Sequence, residues 1–304
     1  QGQGTYGPMN EWDVSLVTDF NDLFGGNNCG SFNQDISQWD TSSVTRMKGT
    51  FNQCQQFNQD ISQWDTSSVT DMEQMFSSAK KFNQPLDWDT SKVTNMRYMF
   101  SNAEVLNQPI NFDTSSVTNM ENMFRDTLAF NQPLWKFDTS QVTNMEDMFY
   151  KSAFNQDIKN WDTSKVTSMG GMFSYSSFLQ DISCWDISSV TSIAGMFWST
   201  GTSYYYNNGP KLCWDTSGIT NTYRFNAQLE TESCTPKNCK NEGEACSAAD
   251  ECFSEYCETN CLPVTLGETC PAAPAQCNGD EVCDEDICKR PTLGESCTED
   301  SDCI

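Results

Sequence analysis

Apolar and polar positions along the chain recur as a block, with a period near 24 residues. Aligned on one aromatic position, the block appears at Trp12, Trp39, Trp64, Trp88, Phe112, Phe137, Trp161, Trp185 and Trp214, with spacings of 27, 25, 24, 24, 25, 24, 24 and 29 residues. One copy, Phe57 to Phe76, reads FNQDISQWDTSSVTDMEQMF. Aspartate follows the aromatic in all nine copies, from Asp13 to Asp215, and a Val/Ile-Thr pair lies five residues on, from Val17 and Thr18 to Ile219 and Thr220. Self-similarity at this period predicts a repeat solenoid of about nine rungs, in which each unit buries its apolar side only against its neighbours.

Inside a rung, Met72, Met75 and Phe76 fall at i, i+3 and i+4, which predicts a helical face about two turns long. Thr70 three residues before Glu73 has the spacing of a capping box, repeated at Thr118/Glu121 and Thr143/Glu146. Before the aromatic, Leu86-Asp87-Trp88 and Ile110-Asn111-Phe112 alternate as a short strand does. Ile61-Ser62-Gln63-Trp64 carries one residue more, as a bulge would. Asp-Thr-Ser after the strand is turn chemistry. The predicted rung is strand, turn, short helix and return loop, with a parallel sheet on one side of the stack and helical turns on the other.

The motif WDTSxVTxMxxMF preceded by FNQ[DP][IL] resembles the BspA-type leucine-rich repeats of microbial surface proteins. The resemblance covers about residues 11–226. It implies a right-handed solenoid of leucine-rich-repeat type, exposed at cell surfaces, associated with adhesion or matrix binding and without catalytic residues. The end copies depart from the pattern: Phe20 replaces the first Met, and Thr222 and Phe225 replace the Met columns after Trp214.

Cysteine usage divides the chain. Of 16 cysteines, Cys29, Cys54, Cys184 and Cys213 lie among the repeats, and the other 12 lie between residues 234 and 303. With no histidine in the chain, this predicts a disulfide framework in an oxidising compartment rather than zinc sites. The expected organisation is a flexible leader at 1–10, the solenoid at 11–229, and a cysteine-rich array at 230–304 that stops part-way through a module. Cys246, Cys252, Cys257 and Cys261 form one four-cysteine unit and Cys270, Cys277, Cys283 and Cys288 a second. Each unit is expected to pair internally, with all three connectivities open and alternation 1–3, 2–4 preferred. Among the repeats, Cys29 and Cys54 each lie ten residues before their tryptophans, and Cys184 and Cys213 each one residue before theirs. Equivalent positions on adjacent rungs come within disulfide range, which predicts the pairs Cys29–Cys54 and Cys184–Cys213.

The chain opens on Gln1 without an apolar run, as expected after removal of a signal peptide, and no stretch is apolar for long enough to span a membrane. A secreted, cell-surface protein is the expectation. The formal net charge is −25; from Glu230 onward, 18 acidic and 4 basic residues contribute −14, leaving −11 for the repeats. That balance argues against nucleic acid and anionic lipid as partners. No Asn-x-Ser/Thr acceptor occurs in the chain.

The column of nine aspartates admits two readings. Asp40, Asp65 and Asp89 are the calcium candidates; the competing reading has each carboxylate accepting backbone N–H groups of its own turn, and no second acidic column completes a calcium shell. The threonine column suggests an ice-binding face unless its hydroxyls cap helical turns, and Lys92 and Lys165 interrupt the column beside it. The asparagine column (Asn33, Asn58, Asn83, Asn107, Asn131, Asn155) is expected to satisfy backbone groups of the return loop. Nothing has the form of a nucleophile beside a base, so neither an enzyme nor a cofactor is expected. Trp198, Tyr204, Tyr205 and Tyr206, in an insertion before the last copy, are the candidates for contact with protein or sugar. The function expected is a non-catalytic structural or adhesive protein, preferably a self-associating subunit of a surface fibre or coat. The alternatives are a monomeric adhesion protein that binds an extracellular protein or polysaccharide, and an ice-binding protein.

Overall fold

The computed structural model describes residues 7–26, 29–201 and 210–225, together with the backbone of short strands at 228–229, 282–284 and 287–289. The chain divides into two compact units, Gln1–Lys237 and Asn238–Ile304. The division falls past residue 229, and the backbone shows why the first unit extends that far: β1 (Lys211–Leu212) pairs in parallel with β2 (Gln228–Leu229). In the second unit, β3 (Val282–Asp284) and β4 (Ile287–Lys289) form an antiparallel pair that sets Cys283 opposite Cys288. The other cysteines after Cys213 lie outside the described residues.

In the first unit, successive repeats stack in parallel. A column of single-residue parallel pairings runs Asp19, Arg46, Asp71, Asn95, Asn119, Asn144, Ser168, Ser192, Asn221. This column follows the Val-Thr pair, whereas the sequence placed the strand before the aromatic. Among the described residues, the pre-aromatic segments pair with one another only at Leu86 with Ile110, and Lys211–Leu212 pairs onward with β2. Where the extra residue was read as a bulge, the chain closes a four-residue turn instead, with Trp64 N–H donating to Ile61 O at 3.1 Å.

The expected helices are replaced by turns; the only helical element among the described residues is the 3-10 turn Met9–Glu11. After Val69 and Thr70 the N–H groups alternate between two destinations. Met72, Gln74, Phe76 and Ser78 donate to Asn95, Arg97, Met99 and Ser101 of the next rung, while Met75, Ser77 and Ala79 donate three residues back, at 2.7–3.2 Å throughout. Two consecutive turns of this kind need a left-handed residue at their third positions. Gln74 (φ 57°) and Ser78 (φ 59°) supply it here, as Tyr98 and Asn102, Asn122 and Asp126, and Asp147 and Lys151 do on later rungs. Met72, Met75 and Phe76 still reach the core, because turns spaced four apart return side chains inward much as a helix does.

The core is three stacked aromatic columns with the methionines between them. Phe76, Phe100, Phe124, Phe149 and Phe173 follow one another at 5.6–5.7 Å between ring centroids. The repeat-marking aromatics do the same at 6.1–6.5 Å where paired, as in Trp39 on Trp64 and Trp161 on Trp185. Phe57 on Phe82 and Phe130 on Phe154 belong to the third column. These rings are buried, and offset stacking adds to their area burial.

Polar columns close the stack around this core. Each Asn side-chain oxygen accepts the backbone N–H one rung ahead, from Asn33–Asn58 to Asn155–Leu179, at 2.8–3.0 Å. The buried threonines of Asp-Thr-Ser reach the aspartate carbonyl of the next rung, as Thr90 Oγ1 does to Asp113 O at 2.8 Å. At the start, the end of the expected flexible leader is engaged through Met9. Met9 packs against the core, and its carbonyl accepts the Trp39 indole N–H at 2.8 Å.

Candidate functional site

The predicted site residues among the described repeats fall as follows. Cys29 and Cys54 are bridged, with their Cα atoms 4.5 Å apart. The expected Cys184–Cys213 staple is not formed: Cys184 is engaged in a disulfide, while Cys213 is a free, half-buried thiol. The segment Ile182–Trp185 holds one residue more than Leu212–Trp214, so Cys213 N–H meets Ser183 Oγ at 3.4 Å although Trp214 still stacks on Trp185. Cys246, Cys252, Cys257, Cys261, Cys270 and Cys277 lie outside the described residues, as do Tyr204, Tyr205 and Tyr206.

The aspartate column is occupied by its own turns. Asp40 accepts Ser42 N–H at 3.1 Å and Ser42 Oγ–H at 2.6 Å; Asp65 accepts Ser67 N–H at 2.9 Å; Asp89 accepts Ser91 N–H at 3.0 Å and its hydroxyl at 2.7 Å. The serine hydroxyl, and then the backbone N–H, hold Asp40 and Asp89 below the usual carboxylate range. Among the described residues, no three carboxylates and cysteines come together as metal ligands do.

The threonine column does not cap. Thr70, Thr94, Thr118, Thr143 and Thr167 each donate both N–H and Oγ–H to the carbonyl of the preceding threonine, the hydroxyl bonds spanning 3.0–3.4 Å. All nine threonines are exposed. Glu73, assigned to a capping box, instead joins a line of alternating charge. Lys48 Nζ lies 3.2 Å from it and Arg97 3.6 Å, and Arg97 continues to Glu121 at 2.9 Å.

Trp198 belongs to a half-buried aromatic strip across the later rungs. Tyr150 meets Tyr175 edge-on at 5.6 Å, and Tyr175 meets Trp198 at 5.6 Å. A guanidinium covers each end: Arg125 lies 4.0 Å from the Tyr150 ring centre and Arg224 3.9 Å from that of Trp198. Arg125 also binds Asp147 at 2.7 Å. Burial raises the Asp147 carboxyl above its ordinary range, with Arg125 opposing that shift. Its carboxylate occupies the space that glycine leaves at Gly171, where a Cβ would collide with Asp147 Oδ1. Tyr150, Tyr175, Arg125 and Arg224 escaped the sequence reading. Each falls four or more residues after the Val/Ile-Thr pair but at differing offsets, so no single column marked them. The strip offers stacking surfaces and fixed cations, which suit polar or anionic partner groups.

The family described as Mycoplasma protein of unknown function, DUF285, matches residues 3–87, 86–174 and 136–234. The chain belongs to this family. The DUF285 stretches tile the stacked repeats, and nearly all of the cysteine-rich region lies beyond them. Neither a curated protein nor a solved structure matches the chain. Among the described residues of this DUF285 protein, no helix is long and apolar enough to cross a membrane.

Proposed function

We propose that the chain is a non-catalytic extracellular protein of structural or adhesive role. It is a BspA-like leucine-rich-repeat solenoid followed by disulfide-stapled modules, and its preferred form is a self-assembling subunit of a surface fibre or coat. One observation carries this reading: the regular polar columns are committed to the stack itself. Asparagine and threonine side chains bond from rung to rung, from Asn33–Asn58 to Thr220–Thr191, and the aspartates accept within their own turns. A scaffold that spends its repeated polar chemistry on cohesion suits a load-carrying particle better than a reaction vessel. The Cys29–Cys54 bridge suits an oxidising compartment. Light scattering of the full chain across concentration, with and without calcium, tests the reading. A particle mass that grows with concentration is the expected result, and a constant monomer mass contradicts it.

The adhesive form is the second reading, and the Tyr150–Tyr175–Trp198 strip with its two arginines favours it. It requires a monomer with a saturable extracellular partner. The ice-binding reading has the exposed threonine column in its support; thermal hysteresis would select it.

A further inference from the structure

Beside the Tyr150–Tyr175–Trp198 strip the surface is cut away over two rungs. Backbone bonds fix the register there: Asp147 N–H donates to Gly170 O at 2.9 Å, Gly171 N–H to Ala194 O at 2.8 Å, and Gly195 N–H to Tyr223 O at 2.7 Å. Rung by rung, this pair of columns reads Glu146–Asp147, Gly170–Gly171, Ala194–Gly195, Tyr223–Arg224. Backbone conformation does not demand the glycines. Gly171 and Gly195 have φ of 65° and 63°, and Gln74, Tyr98, Asn122 and Asp147 hold the same left-handed position with side chains, at 53–57°. At Gly171 the vacated space is taken by the Asp147 carboxylate, whereas a Cβ on Gly195 would meet no atom within 4 Å. The result is a notch floored by the backbone of Gly195.

The strip borders this notch. Trp198 N–H donates to Gly195 O at 3.0 Å, one turn away on the same rung. Arg224, next in the glycine column, reaches the Trp198 ring at 3.9 Å and lies 5.0 Å from the ring of Tyr223, which is 67 % exposed. Charge decides what fits. Arg125, Lys151 and Arg224 stand with Asp126, Glu146 and Asp147, three of each sign, on a chain of net charge −25. Arg125 bonds both Asp126, at 3.3 Å, and Asp147, at 2.7 Å. Locally, neither a polyanion nor a polycation gains from such a balance, and the whole chain repels polyanions. A neutral sugar ring meets each feature. Its C–H faces pack on aromatic rings, and its hydroxyls donate to carboxylates and accept from a guanidinium in charge-assisted bonds.

We propose that the notch binds a neutral, hydroxyl-rich polysaccharide, with one pyranose ring over Gly195 between Trp198, Tyr223 and Asp147. This rests on the adhesive reading and names its ligand class.

Affinity electrophoresis of the full chain tests it, because a charge of −25 carries the protein through a native gel and a bound polysaccharide holds it back. The gels contain dextran, laminarin or galactomannan as neutral probes, alginate as a polyanion, or gelatin as a protein. The variants are Gly195→Gln, which fills the floor with a side chain the column carries at Gln74, and Tyr223→Ala, which removes the exposed ring; circular dichroism melts confirm that each folds. At least one neutral polysaccharide should retard wild type saturably, and each variant should weaken that binding by about tenfold or more, as loss of an anchoring contact does. Lys92→Ala, away from the notch, should bind as wild type does. Retardation by alginate or gelatin alone overturns the neutral-glycan assignment while the adhesive reading stands. Folded variants that bind a neutral polysaccharide as tightly as wild type overturn the notch as its site. A wild type that no neutral probe retards overturns the proposal, and the adhesive reading is then judged separately by the monomer mass that it requires.

Discussion

Replacing Trp161 by Phe and, in a separate variant, Trp88 by Phe makes the same change in one column at two rungs. Both indoles are buried, with 7 % and 5 % of their surface exposed. They differ in one respect: Trp88 Nε1–H donates to Ile61 O at 3.1 Å, while Trp161 Nε1–H finds no acceptor. The loss of ring area is common to both and cancels in the comparison. At Trp88 the substitution also removes a hydrogen bond, a net loss of about 1 kcal/mol; Ile61 O keeps the Trp64 N–H, so no acceptor is orphaned. At Trp161 it removes a buried, unsatisfied donor whose desolvation costs about 1–3 kcal/mol. The Trp161→Phe variant should therefore be the more stable of the two by about 2 kcal/mol or more. The column already accepts phenylalanine at Phe112 and Phe137, both buried. Urea denaturation followed by far-UV circular dichroism reads the difference as a shift in midpoint at equal slope. Equal losses in the two variants would refute the hydrogen-bond assignment along this column.

Three further outcomes follow from the same geometry. The Cys29–Cys54 bridge closes a separation of 25 residues; its removal by paired serine substitution should cost about 3.5 kcal/mol by the chain-entropy relation, read as faster amide exchange confined to the first rungs. Iodoacetamide under native conditions should label Cys213 and leave Cys29 and Cys54 unmodified, which peptide mass spectrometry would show. Asp147 and the turn aspartates should respond to pH with opposite signs. Burial raises Asp147, so its ionised form weakens the fold, and Asp147→Asn should gain on wild type as pH rises through the raised value. Asp13, Asp40, Asp89, Asp162 and Asp215 are lowered by their serines. Their contribution is present above the unfolded value near 3.9 and is lost as pH falls through the lower folded ones. Thermal melts between pH 2 and 7 would show both trends.

The repeat, its nine aromatic markers and the inward columns could be read directly, because a motif that stacks on itself must keep its core positions at a fixed spacing. The roles of Asn33 to Asn155 and of the Asp-Thr-Ser turns were equally legible, since short polar side chains have few acceptors within reach. The turns after each Val-Thr pair were not. Met72, Met75 and Phe76 fit a helix and a double turn alike, and apolar spacing cannot separate them. The discriminating signal lay in two other columns, four residues apart. Gly49, Asn122, Asp147, Gly171 and Gly195 occupy one, and Gly26, Asn102 and Asp126 the other. Glycine, asparagine and aspartate recurring at fixed positions mark left-handed backbone that no helix contains. The Cys184–Cys213 expectation failed for a related reason. Counting from the tryptophan ignores the extra residue in Ile182–Trp185 that Leu212–Trp214 lacks, and Cys213 stands beside Ser183 instead. The arginine–tyrosine strip was hidden because its members are scattered among polar positions and meet only when rungs stack.

Negative-stain electron microscopy of the full chain at high concentration, with calcium present, tests the central claim most directly. The account predicts fibres or sheets built from repeating copies of one subunit. A field of dispersed single particles, unchanged across concentration and salt, would contradict it.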